Sequence, residues 1–449
     1  IFLNKNRKKR IFLFSLLTFF SFGITSMPTI LPVNSTSLVI RNSPKEVIDQ
    51  VWQIVYRDYL DSSGNYKEQD WLSLRKQVLS RKYIDKSDSY EAIRSMLLSL
   101  KDPYTRFMDP KEFKEMKIDT TGELTGVGIQ LSLDKLTNEV IVVSPIEGSP
   151  AYKAGVLPKD VIVSIDTKST KNMTIEEVVR LIRGKKGTVV TLGLRRKGNI
   201  FTYRLIRDRI EIHVVSTKIN SIRNDFNIGY IRLRQFNANA SKEMRQAILN
   251  LEDKKVLGYI LDLRSNPGGL LESSVDIARQ WLDKGVIVST QTKDGIKDIR
   301  RANGRALTKK PVVVIVNEGS ASASEILSGA IQDNNRGLLV GSTTFGKGLV
   351  QSVRSLSDGS GVTVTIAKYL TPNGTNIHEN GIIPDVVYKL SDDDLLKFTI
   401  DHIGTSKDKQ YLLAEEILIK SINNKTKNKT SNYFGFNIKY ALNHLIYPA

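Results

Sequence analysis

PVVVIVNEGSASASEILSGAI, residues 311–331, decides the fold. The apolar β-branched run from Val312 to Val316 has no polar alternation, which is how a strand covered on both faces of a parallel sheet reads. Asn317 to Ser322 are small or polar and turn the chain, and a helix is expected from about Ser324 to Gln332. Such a strand-to-helix turn lifts side chains above the sheet edge. The helix N-terminus then points free N–H groups and the positive end of its dipole at whatever lies there. A serine at this place could have both its alkoxide and a tetrahedral oxyanion stabilised. Serines also cap helices and fill turns, so the stretch alone does not separate a nucleophile from a cap. The G-x-S-x-G elbow is absent, since Ser322 is followed two residues later by Ser324. The histidines are His213, His378, His402 and His444, none placed to suggest a Ser-His-Asp triad, so the base must be of another kind.

VGSTTFGKGLVQS, residues 340–352, offers Lys347. Burial under apolar neighbours lowers a lysine's pKa, and a neutral amine can accept a serine proton. The rival is a phosphate loop, because Gly341-x-x-x-x-Gly346-Lys347 matches most of that motif. Its eighth position is Gly348 where a hydroxyl is needed, and LVQSVRSLSDGSG after it reads as strand and turn where a helix is needed. DLRSNPGG, residues 262–269, ends another apolar strand in a turn that exposes backbone N–H groups. It suits an oxyanion hole, a peptide-docking edge or an ordinary strand–helix loop equally well.

Outward from these three segments, strands and helices alternate from Ile228, with helices expected over 241–253 and from about Leu271 to Leu282. The alternation argues an α/β core over 209–400. Residues 401–422 form a C-terminal helical segment and 423–449 a polar, basic tail. Upstream, 121–208 reads as short strands with two helical stretches, the size of one small module. Residues 43–120 read as helical, with Val47, Val51, Ile54, Val55 and Tyr59 at helical spacing, up to the Pro103/Pro110 punctuation of LKDPYTRFMDP. Residues 1–26 hold a cationic cluster and the apolar run IFLFSLLTFFSFGI at 11–24, a signal peptide or membrane anchor that would export the rest and associate with a membrane if uncleaved.

A chain of 449 residues exceeds one ordinary core, in keeping with several domains. The absence of cysteine excludes disulfides, thiolate metal sites and a cysteine nucleophile. The net charge of +19 is concentrated, with residues 1–10 and 420–449 together holding +10. No basic stripe lies on a nucleic-acid-binding module, so no nucleic-acid partner is expected.

Taken together, DLRSNPGG within GYILDLRSNPGGLLESSVDIA, NEGSASASEILSGA, GSTTFGKGLVQS and LKDPYTRFMDP resemble the carboxyl-terminal processing (tail-specific) serine peptidases, most of all the cyanobacterial and chloroplast members. The resemblance implies a multidomain α/β protein with an N-terminal helical segment, a PDZ-like module and a crotonase/ClpP-like Ser-Lys protease core. It singles out Ser322 as nucleophile, Lys347 as base and Gln351 as the residue orienting that lysine. Ala323, Gly268 and Gly269 would donate to the oxyanion, and Gly126-Val127-Gly128-Ile129 would form the loop that binds a free C-terminus. His378 is read as structural. No metal or other cofactor is implied, and the partners are protein C-terminal tails. The implied activity is endoproteolysis near substrate C-termini in the thylakoid lumen or periplasm, with maturation of a photosystem II reaction-centre precursor as the narrower expectation. The rival readings are a general periplasmic tail-specific protease and a non-catalytic PDZ scaffold.

Overall fold

The computed structural model describes residues 43–428 apart from 63, 135–136, 224–225, 296, 392–393 and 395–397, so the expected leader at 1–26 and residues 429–449 of the tail lie outside the described residues. Helix α1, Pro44–Asp58, begins where the Ser43 hydroxyl accepts from the Lys45 N–H and Pro44 fills the first turn. Its Val47, Ile48, Val51, Trp52 and Val55 make one buried face. Helices α2, Glu68–Ser80, and α3, Lys86–Leu98, complete that cluster with Trp71, Ile93 and Met96. The chain then turns through 100–105 into strand β1, Arg106–Met108, which pairs antiparallel with residues 361–363 of the core. Helix α4, Pro110–Thr121, opens with an Asp109–Glu112 capping box and closes at left-handed Gly122 (φ 70°).

Strand β2, Glu123–Gly126, leads into the small module and β9, Asp208–Glu211, leads out. The two pair antiparallel, so the module is joined to the body by one two-stranded ribbon. Between them lie β3 (Ile129–Leu133), β4 (Val140–Pro145), helix α5 (Pro150–Lys153), β5 (Val161–Ile165), β6 (Lys168–Ser169), helix α6 (Ile175–Ile182), β7 (Val189–Arg196) and β8 (Asn199–Ile206). The sheet order is β3-β4-β5-β7-β8, with β6 on β5. Val127, Val140, Ile162, Val178, Leu192 and Leu194 form its core.

The core proper contains β10 (Val215–Arg223), β11 (Phe226–Leu233), α7 (Ala240–Asp253), β12 (Tyr259–Asp262), α8 (Leu271–Trp281), β13 (Val286–Thr292), β14 (Lys297–Arg301) and β15 (Val312–Val316). It continues with α9 (Ala323–Asp333), β16 (Leu338–Gly341), β17 (Leu349–Ser355), β18 (Gly361–Leu370) and β19 (Val386–Val387). The main sheet runs β10-β11-β12-β15-β16-β19, parallel from β11 onward. Its two faces are both covered, which explains the unbroken apolar runs. Tyr259, Leu261, Val312, Val314 and Val316 face a cluster with α7, α8 and α9, whereas Ile260, Val313 and Ile315 face helix α10, Lys409–Asn428. That last helix runs past the expected limit near residue 422. Ala414, Leu418 and Ile422 are buried against the sheet, and the helix continues beyond them to Asn428. Strand–helix alternation does not account for residues 286–301, which form the antiparallel hairpin β13–β14 in a second sheet, β1-β18-β13-β14 with β17 on β18. There the N-terminal helices are tied to the core through β1.

Candidate active site

The carboxyl ends of β12 and β15 lie side by side, Asp262 opposite Ile315, so the DLRSNPGG and NEGSASAS turns emerge at the same sheet edge, where open α/β sheets place their sites. The two turns are stitched together. Asn317 Oδ1 accepts from the Ser265 N–H at 2.7 Å, Ser320 Oγ donates to the Leu263 carbonyl at 2.8 Å, and Ser324 Oγ donates to the Asn266 carbonyl at 2.8 Å. Ser320 and Ser324 are fully buried and committed to backbone, whereas Ser322 between them is half-buried, with its hydroxyl in range of the Tyr369 phenol. Ser322 adopts φ 56° and ψ −112°, a conformation that costs a non-glycine residue about 1–3 kcal/mol and persists only where the surroundings impose it.

Glu325, in the first turn of α9, supplies much of that imposition. It is fully buried. Its Oε2 accepts from the backbone N–H groups of Ser322 (2.8 Å) and Lys347 (2.9 Å), and its Oε1 from the Gly346 N–H (2.7 Å) and the Thr344 hydroxyl (2.6 Å). One carboxylate thus holds the serine turn against the lysine loop. The spacing Ser322-x-x-Glu325 is the capping-box signature, so this residue was findable in the sequence as a cap, though not as a link to residue 347.

Loop 342–348 carries Lys347 and passes straight into β17, not into the helix that a phosphate loop requires. Gly348 lies so close to the backbone of His378 that a Cβ would sit 2.6 Å from its nitrogen, so no side chain is tolerated there. The Tyr369 hydroxyl donates to the Lys347 carbonyl. Burial raises the pKa of this phenol, with the Ser322 hydroxyl opposing. The Lys347 side chain is half-buried, and its Nζ stands 4.7 Å from the centre of the Tyr104 ring. Loss of hydration pushes its pKa below the ordinary lysine value and the Arg106 cation adds to this, while Asp102 and Glu325 oppose. Among the hydrogen bonds of the described residues, none joins Ser322 Oγ to Lys347 Nζ. Gln351 follows a bulge between Val350 and Gln351, and its buried Nε2 has no partner among the described residues. The His378 ring is edge-on to Tyr104, and its backbone N–H donates to Asn376 Oδ1.

The glycine turn contributes unequally. A Cβ on Gly268 (φ 96°) would lie 2.6 Å from the Ala321 carbonyl and 2.9 Å from Ser322 Cβ, so only glycine lets this turn touch the serine elbow. Its N–H donates to Asn266 Oδ1 at 2.9 Å and is therefore not open to a ligand. No partner for the N–H groups of Gly269 and Ala323 occurs among the described residues. The expected pair Gly268 and Gly269 thus divides into a spacer and an open donor. In the small module, Val127 is buried in the core, and the Gly128 carbonyl (φ 76°) accepts from the Ile146 N–H and the Ser149 hydroxyl. That fixes the Gly126–Ile129 loop at the head of β3, with α6 packed near that strand. A cavity of about 910 Å³ opens at the other end of β3 from that loop, lined by Leu133, Asn138, Val140, Thr170, Met173 and Ile175 among others.

Beneath the site, Arg264 bridges two fully buried carboxylates, 2.6 Å to Asp262 Oδ2 and 2.6 Å to Asp408 Oδ2. Asp262 also accepts from the Tyr230 hydroxyl, and Asp408 from the Gly404 and Tyr411 N–H groups. This network ties the glycine-turn strand to the start of α10. Burial alone would raise the Asp262 pKa, but Arg264 holds it below the usual carboxylate range.

The sequence model of Peptidase family S41 matches residues 227–388, and that of a PDZ domain matches residues 141–196. The carboxyl-terminal-processing protease of Synechocystis sp. is 42% identical over 387 residues, covering 86% of this chain and 89% of that protein. Carboxyl-terminal-processing peptidase 2, chloroplastic, of Arabidopsis thaliana is 38% identical over 384 residues, with 81% and 74% covered. Among solved structures, a photosystem II D1 C-terminal processing protease aligns with a TM-score of 0.51 at 38% identity, over 78% of this chain and 94% of that one.

Proposed function

The chain belongs to peptidase family S41, among the serine-type carboxyl-terminal-processing peptidases, and from that premise we propose that Ser322 is its nucleophile and Lys347 its general base. The observation that carries this assignment is the Glu325 carboxylate, which binds the backbone of both residues at once. In the reaction, the neutral Lys347 amine takes the Ser322 proton as Oγ attacks the scissile carbonyl. The Ala323 and Gly269 N–H groups receive the oxyanion. The lysine returns its proton to the leaving amine, an ester to Ser322 remains, and water enters with Lys347 again as base to free the new C-terminus. Gln351 orients the amine. Glu325→Gln keeps the shape but turns an amide N–H toward groups that are already donors. This variant is expected to lower kcat/KM by roughly 100-fold, the cost of about an ångström of misplacement, with little change in KM.

The module at 121–208 captures the substrate's free C-terminus through the Gly126–Ile129 loop, and an extended tail then reaches Ser322. We take the substrate to be a protein with a C-terminal extension, in the thylakoid lumen or periplasm. Maturation of a photosystem II reaction-centre precursor is favoured by the likeness to the cyanobacterial relative and to the D1-processing structure. A likeness of 40% over 338 residues to CtpA of Bacillus subtilis keeps a general tail-specific protease as the second reading. Incubation with reaction-centre and unrelated tailed substrates, wild type against Ser322→Ala, read by intact mass, decides between them. Preferential trimming of the first supports the narrower reading, and indifference supports the general one. Replacing the substrate's terminal carboxylate by an amide is expected to lower kcat/KM at least about tenfold, since charge-assisted hydrogen bonds are lost. Equal cleavage of both forms overturns carboxylate capture.

A further inference from the structure

Tyr104 comes from the N-terminal part of the chain, yet its ring lies under the Lys347 ammonium. It is fixed there. Asp102, itself buried, accepts from the Tyr104 N–H at 2.9 Å and from the Thr105 hydroxyl at 2.7 Å, and the Thr363 hydroxyl donates to the Tyr104 carbonyl at 2.9 Å. The backbone that carries the ring is therefore held in place, whereas the lysine is a flexible four-carbon stem. We propose that Tyr104 is a positioning residue that parks the Lys347 side chain, in its charged form, on the ring face and releases the neutral amine to Ser322, so that the ring sets the pH at which the base becomes available. The physical ground is selective: the negative face of an aromatic ring attracts an ammonium and has no comparable hold on an uncharged amine. The other groups around this lysine are Asp102 and Arg106 from the same segment, Glu325 from α9 and the Tyr369 phenol from β18, with His378 edge-on to the ring. Burial and Arg106 favour the neutral form, while the ring, Asp102 and Glu325 favour the charged one.

The inference rests on Lys347 being the base, and its test separates the two claims. Full-length enzymes are prepared with Tyr104→Phe and with Tyr104→3,4,5-trifluorophenylalanine, which keeps the shape of the ring but withdraws charge from its face. Lys347 is titrated directly by competitive acetylation read from peptide masses, alongside the pH profile of kcat/KM on a tailed peptide. The phenylalanine enzyme should titrate near wild type. The fluorinated enzyme should titrate lower by about half a unit to one unit. With less hold on the cation, the acidic limb of kcat/KM should move to lower pH by the same amount. Identical Lys347 titration in the two variants overturns the role of Tyr104. A shifted titration that the kcat/KM limb does not follow instead overturns Lys347 as the base.

Discussion

Ser322→Ala is expected to fold as wild type and to lose about ten thousand- to a million-fold in kcat/KM, measured on a tailed peptide by mass spectrometry. The side chain removed is half-buried, and the serine turn stays held through its backbone by Glu325. Lys347→Ala should lose a similar factor, because its loop is likewise held by backbone bonds to Glu325 and Tyr369. The double variant should be no worse than either alone, since nucleophile and base act as one unit. In the proposed mechanism, the form of Lys347 that acts in the wild type is the neutral amine. Activity should therefore rise with pH through the lysine's pKa, which burial has brought below its ordinary value, and level off above it. Retained cleavage in Lys347→Ala would transfer the role of base to another residue.

The second large effect is on stability. Arg264→Met is expected to cost about 3–5 kcal/mol, because it leaves two buried carboxylates facing one another without their cation. The sign of its pH dependence identifies the cause. In the wild type, the pKa of Asp262 is depressed, so its contribution is present above the unfolded value of about 4 and is lost as pH falls through the folded one. In Arg264→Met, the stranded carboxylates should instead have raised pKa values, and lowering the pH from 7 toward 5 should restore stability. Thermal unfolding at a series of pH values reads this directly. A variant that only loses stability as pH falls would show that the pair is not electrostatically stranded. Adding Asp262→Asn and Asp408→Asn should recover much of the loss, because apolar or neutral replacement of a whole buried ion network is far less costly than breaking it.

Much of this molecule is legible along the chain because the forces concerned act locally. The unbroken β-branched run at 312–316 needs two covered faces, Asp109-Pro110 and Ser43-Pro44 start helices by satisfying their own N–H groups, and Gly122 ends one by accepting a left-handed turn. The helices expected over 241–253, 271–282 and 324–332 occur at Ala240–Asp253, Leu271–Trp281 and Ala323–Asp333 for the same reason. The final helix is anchored by Ala414, Leu418 and Ile422 on a sheet that the local sequence cannot announce, and it runs on to Asn428.

Sequence by itself therefore determined the order of the parts, the parallel sheet, the small-residue turns and the residue types fit for serine chemistry, since periodicity, caps and turn chemistry involve neighbours a few positions apart. Tertiary structure alone decided which of three serines stands clear of the backbone, which glycine N–H is already taken, that Asp408 reaches Arg264, and that Tyr104 lies beneath Lys347. Each of these is a contact between segments far apart in the chain, made by sheet register and burial, and such contacts leave no mark on the residues' immediate neighbours.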